Sequence, residues 1–180
     1  MKTKLSQLPA IIRVLIPAIL LADCFAAAGW ERRVVPQNCG LLSLREVAKV
    51  LRPEDTGAVP STNGAIGEKG ISLMDLAEVG RQMNLNLVPV RRLSGQELLV
   101  PSLAYWRENH YVAILDKRGE DYRVFDAALN NTRWLAADAI NARISGQFLA
   151  PASELTENWR RLSASEAEQI VGGVVIAAIS

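Results

Sequence analysis

HYVAILDKRGEDYRVFDA, residues 110–127, is the stretch on which the fold turns. Two short runs rich in aliphatic, β-branched and aromatic residues flank Lys117-Arg118-Gly119-Glu120, a turn-forming group. The pattern predicts an antiparallel hairpin. His110 opens its first strand and Asp126 ends its second. Reflection about the middle of the turn sets His110 opposite Ala127. Asp126 is then one position off, and a shift of register or a bulge brings its carboxylate to the ring.

The segments around the hairpin set its context. LNLVPV (85–90), LVPSLAYW (99–106) and GQFLAP (146–151) read as further strands, and TRWLAADAINARI (132–144) as a short strand and a helical turn. Two helices come earlier. LLSLREVAKVL (41–51) has apolar residues at 41, 44, 47, 48 and 51, and Pro53 stops it. SLMDLAEVGRQM (72–83) starts on Ser72 as N-cap, with Asp75 placed to reach back. Its apolar face carries Leu73, Leu76, Ala77 and Met83, with Gly80 expected to allow close packing. Residues 54–70, rich in Gly and Pro, read as a long loop, with a lid over a cleft as one use. Helices followed by an antiparallel sheet predict an α+β domain.

The chain has 180 residues, 49% of them hydrophobic, and a formal net charge of +1. That suits one globular domain and gives no electrostatic reason to expect nucleic acid. Residues 1–28 have basic Lys2, Lys4 and Arg13, an apolar run from Val14 to Ala22, and Ala26-Ala27-Ala28 as a cleavage site. This is the layout of a secretory signal peptide, with an uncleaved anchor as the alternative. The chain is therefore expected to be exported, periplasmic or extracellular, or else held to a membrane by this segment. Cleavage removes Cys24 and leaves Cys39 as the sole cysteine, so no internal disulfide forms. With a single histidine, His110, no structural zinc site is plausible.

Cys39 directly precedes the first predicted helix. Free N–H groups and the helix dipole favour a thiolate there, and Gly40 lets backbone or substrate come close. An imidazole at His110 can take the thiol proton, and a carboxylate at Asp126 can fix the ring's tautomer. Each residue alone also has an ordinary structural use. Together they predict a Cys-His-Asp site.

NCGLLSLREVAKVL, GISLMDLAEVGRQMNLNLVPV, VPSLAYWRENHYVAILDKRGEDYRVFDAALNNTRWL and ISGQFLAP resemble the bacteriocin-processing, double-glycine cysteine peptidases, which have a papain-like fold. The resemblance implies a papain-like peptidase domain over residues 29–155, with Cys39 as nucleophile, His110 as general base and acid, and Asp126 as orienting carboxylate. It implies no cofactor. Two departures stand out. The family's oxyanion glutamine lies five or six residues before the cysteine, where this chain has Arg33 and Val34. Gln37, two residues before, is the candidate instead. Ala127 replaces the proline that commonly follows the aspartate. No Walker motif is present, so no ATP is expected.

Residues 156–180 form a C-terminal tail, LSASEAEQIVGGVVIAAIS at its end. Leu162, Glu166, Ile170, Gly172 and Gly173 match the leader pattern that such peptidases read, with Ala167 where a leucine is common. On that reading Leu162 and Ile170 line an amphipathic helix that docks in a groove, and the two glycines thread a narrow cleft. The tail is then a self-cleavage site or a mimic that fills the groove. On the other reading Gly172-Gly173 simply stop a helix. The leading function is an exported cysteine peptidase acting on peptides or proteins with double-glycine-type motifs, with an export-machinery component as a possible partner. The alternatives are a catalytically weak module that binds leader peptides, and acyl transfer on the same residues.

Overall fold

The computed structural model describes residues 38–54, 70–93 and 97–173. The signal-peptide stretch 1–28, Gln37, nearly all of the predicted 54–70 loop and residues 174–180 lie outside the described residues. The described residues belong to one compact unit spanning 34–180.

Helix α1 (Cys39–Leu51) is followed by a two-residue strand, β1 (Ile71–Ser72), and helix α2 (Leu73–Gln82). Strands β2 (Leu87–Arg92), β3 (Ser102–Trp106), β4 (His110–Arg118), β5 (Asp121–Asp126) and β6 (Asn131–Ala136) come next. Helix α3 (Ala137–Asn141) leads to β7 (Ile144–Pro151), then β8 (Trp159–Arg161), α4 (Ala164–Glu168) and β9 (Val171–Gly172). Seven strands form an antiparallel sheet in the order β6-β5-β4-β3-β7-β2-β8. A second sheet pairs β1 with β9. Because β8 closes one edge of the main sheet, residues beyond 155 are part of its architecture.

Both helices form for the reasons their sequences give. Ser72 Oγ accepts from Asp75 N, and the Asp75 carboxylate accepts from Ser72 N, a complete capping box. Such caps contribute about 1 kcal/mol. Leu44, Val47 and Ala48 of α1 and Leu73, Leu76 and Ala77 of α2 bury against Leu103, Tyr111, Ala113 and Leu149 on one face of the sheet. The other face carries Val90, Trp106, Val112, Ile114, Phe148 and Trp159, covered in part by Ile140 of α3. Having both faces covered buries every residue from His110 to Leu115, which is why β4 reads as an unbroken apolar run.

Two expectations about glycine change. Gly40 sits where a Cβ would come within 2.9 Å of both Ile71 and Leu76 side chains. It serves the packing of α1 on the core. At Gly80 a Cβ would lie 3.7 Å from Leu87, an ordinary contact. Close packing does not require glycine there.

Candidate active site

The β4–β5 hairpin sets up the first half of the site. Its strands pair Arg118 with Asp121, one step further along than a turn centred in residues 117–120. The register then shifts between Ile114 and Asp116, so Leu115 is an extra, bulged residue on β4. Beyond the bulge Val112 faces Asp126. His110 lies two residues from Val112 and so shares a face with Asp126. Without the bulge Asp126 would pair with Ala113, on the opposite face. The bulge therefore brings His110 and Asp126 together.

His110 Nε2 lies 2.7 Å from Asp126 Oδ1. Both residues are almost fully buried, at 3% and 1% exposure. Trp106, the cross-strand partner of His110, meets its ring edge-on. Asp126 also accepts from the Ala128 backbone N–H at 3.0 Å, which fixes the carboxylate without a proline at 127. Burial opposes charge on His110. The hydrogen bond to Asp126 and then the adjacent Cys39 outweigh it, and the imidazole is pushed up to about 9. Burial likewise acts to raise Asp126, but the bond to His110 outweighs it and holds the carboxyl below its ordinary range.

Cys39 is the first residue of α1, with Asn38 as its N-cap. Asn38 makes no side-chain capping bond, so the N–H groups of the first turn are not claimed by it. The hydroxyl of Ser43, one turn on, donates to the Tyr111 carbonyl at 3.1 Å and ties the helix to β4. This tie brings the thiol against the imidazole, close enough to favour its charged form. His110 Nδ1 is buried and makes no formed hydrogen bond among the described residues. With Nε2 bound to Asp126, Nδ1 is the nitrogen left for the thiol.

An accessible thiol is what the sequence reading requires, and Cys39 has none of its surface exposed. The chain's own C-terminal stretch packs into the same core. Leu162, Ala167 and Ile170 join the apolar cluster that contains Cys39. The predicted amphipathic helix is shorter than expected. Residues 164–168 form α4, started by a Ser163–Glu166 capping box and ended at Gln169. Gly172-Gly173 therefore do not stop a helix. Gly172 is in β9, and Gly173 follows with φ of 88°. Glu166, the acidic position of the leader-like pattern, caps α4 and pairs with Arg160 at 2.8 Å.

Three residues missed in the sequence shape this corner. Tyr111 donates to the Ile170 carbonyl at 2.6 Å, and Tyr105 Oη lies 2.8 Å from both the Val171 carbonyl and Asn109 Oδ1. A hydroxyl carries one proton. With the Asn109 amide turned to present Nδ2, both Tyr105 contacts are satisfied. Asn109 holds a left-handed φ of 54°, which asparagine tolerates better than most residues. The available signal was two tyrosines and an asparagine around the lone histidine.

An α+β fold with a cysteine opening a helix against a histidine opening a strand is the papain-like arrangement. The family model described as Peptidase C39 matches residues 29–155, and the chain belongs to that family. Among solved structures, a double glycine motif protease from an AMS/PCAT transporter, in complex with the leader peptide, has 16% sequence identity and a TM-score of 0.51, covering 70% of this chain and 86% of that one. It shares the fold. The peptidase domain of Streptococcus mutans ComA, in complex with a small-molecule inhibitor, has 15% identity and a TM-score of 0.44, with 66% and 98% covered. The N-terminal peptidase C39-like domain of a toxin secretion ATP-binding protein from Vibrio parahaemolyticus has 7% identity and a TM-score of 0.43, with 67% and 97% covered. No curated protein matches the chain.

Proposed function

We propose that the chain is a cysteine endopeptidase that cuts after double-glycine-type sequences, with Cys39 as nucleophile, His110 as general base and acid, and Asp126 as the group that orients the ring. The observation that carries this reading is the buried 2.7 Å His110–Asp126 bond with Cys39 against the same imidazole. Asp126 accepts from Nε2–H and leaves Nδ1 free to take the Cys39 proton. The imidazolium then stands beside a thiolate, stabilised by the carboxylate behind it. Attack on a peptide carbonyl puts negative charge on its oxygen. The Cys39 N–H, at the start of α1, is one donor for that charge, and Gln37 is the proposed second. His110 passes its proton to the departing amine, and water releases the acyl group from sulfur. Proton transfer of this kind supplies about 10²- to 10⁴-fold in rate, and each oxyanion donor about 10²- to 10³-fold.

Residues 1–28 direct the chain to export on this proposal, where a component of the export machinery is a partner. N-terminal sequencing of the secreted protein is expected to begin at Gly29. An N-terminus at Met1 in the soluble protein would refute the export signal.

The zero exposure of Cys39 favours one competing reading, a module that holds leader peptides without cutting them. Incubating the full chain with a synthetic peptide of residues 156–180 separates the two. Cleavage after the second glycine, lost in Cys39→Ala, is the expected result. Binding without cleavage would overturn the peptidase reading.

A further inference from the structure

Residues 170–173 lie in the structure as a bound peptide would. Leu73 N–H donates to the Ile170 carbonyl at 2.9 Å, and the Tyr111 hydroxyl donates to the same oxygen. Tyr105 reaches the Val171 carbonyl. Val171 and Gly172 pair antiparallel with Ser72 and Ile71. Gly173 N–H donates to the Asn109 carbonyl at 2.9 Å. Every one of these contacts is to main chain, the mode by which an extended peptide is gripped largely independently of its side chains.

The channel admits no side chain at its narrowest place. A Cβ on Gly172 would come within 2.4 Å of the Tyr111 ring. A Cβ on Gly70 would likewise come within 2.2 Å of the Gly172 carbonyl oxygen, and Gly70 has φ of 98°. Before the channel, Ile170 and Ala167 are buried in the apolar cluster that also contains Cys39. The chain direction is also defined. Gly173 is anchored on the carbonyl of the residue immediately before His110, so the next peptide bond, Gly173–Val174, is the first beyond that anchor.

We propose that this segment is an intramolecular leader and that the chain's first substrate is its own Gly173–Val174 bond, an inference that rests on the peptidase reading above. The Cys39 thiolate attacks the Gly173 carbonyl carbon. The C–N bond to Val174 breaks as His110 delivers its proton to that nitrogen, leaving a Cys39–Gly173 thioester. Water adds to the thioester, His110 takes a water proton, and the sulfur leaves as thiolate. The net reaction consumes one water and gives a chain ending in the Gly173 carboxylate and a free peptide of residues 174–180.

Intact-mass spectrometry of the purified full chain, followed over days at two protein concentrations a hundredfold apart, tests this. Wild type is expected to lose residues 174–180 with a first-order rate that does not depend on concentration. Cys39→Ala and Cys39→Ser, checked for folding by circular dichroism, are expected to keep their full mass. A wild-type chain that stays intact while cutting an added synthetic peptide of residues 156–180 would overturn the inference and leave the peptidase reading standing. A chain that cuts neither would overturn both. A rate that rises with concentration would overturn cleavage in cis.

Discussion

The β4–β5 hairpin and the C-terminal segment reach the same corner of the molecule by different means. The hairpin is held by a ladder running from Arg118–Asp121 to Val112–Asp126, inside a sheet covered on both faces. The C-terminal segment is held by two ladder pairs and a few bonds from Leu73, Tyr105, Tyr111 and Asn109. The hairpin fixes chemical groups in one place. The tail presents main chain to those groups through contacts that another extended peptide could equally make. On the proposed reading one region stays and the other is exchanged or cut.

The largest expected effect tests the permanent side. Asp126→Asn keeps the shape of the side chain but removes the charge that favours the imidazolium, and it offers Nε2–H a weaker acceptor. Peptide cleavage is expected to fall by about 10²- to 10⁴-fold, measured as kcat/KM on the synthetic tail peptide. A change of less than about threefold would show that Asp126 does not orient the ring.

The next test is pH. His110 has its folded pKa raised to about 9 from 6.5. Its contribution to stability is therefore complete below pH 6.5 and lost as pH rises through 9. Asp126, lowered on folding, contributes above the ordinary aspartate range and loses its contribution as pH falls through its depressed value. Melting temperature is expected to decline between pH 6.5 and 9 more steeply in wild type than in His110→Gln. Parallel declines would count against the charged pair.

A smaller effect tests the exchangeable side. Gly172→Ala forces a methyl into the Tyr111 ring, a collision of a kind that costs about 1–3 kcal/mol and here is expected to expel the tail and speed iodoacetamide alkylation of Cys39 about tenfold. An unchanged alkylation rate would mean that the tail does not cover the thiol. The smallest effect belongs to a glycine outside this corner. Gly80→Ala meets only ordinary contacts and is expected to stabilise the chain by about 0.5–1 kcal/mol through helix propensity, read by urea unfolding.

The sequence disclosed the elements more readily than their registration. Apolar spacing in α1 and α2, the Ser72–Asp75 cap and the hairpin residues all act locally, and the structure has them close to where the pattern puts them. The need for a register shift or a bulge was legible, but its place at Leu115 was not. Residues 110–115 are uniformly buried, so no alternation marks where the pleat skips. Tyr105, Asn109 and Tyr111 acquire their role only when the tail docks on them, a long-range event with no local signature. The same holds for the burial of Cys39. A helix-start cysteine reads as reactive and open, and its complete burial is set by tertiary packing that a local pattern does not carry.

The bulge at Leu115 makes the hairpin a counting device. Were Leu115 paired in step and not bulged, Asp126 would face Ala113 on the helix-covered side of the sheet, where it would meet hydrocarbon in place of imidazole. The loop between Arg118 and Asp121 can change length without disturbing the pairs beyond it, and what matters is that one residue of β4 goes unpaired on the way to His110. A sequence that keeps the histidine, the aspartate and this turn but pairs every residue of β4 in step would hold both residues and lack the pair.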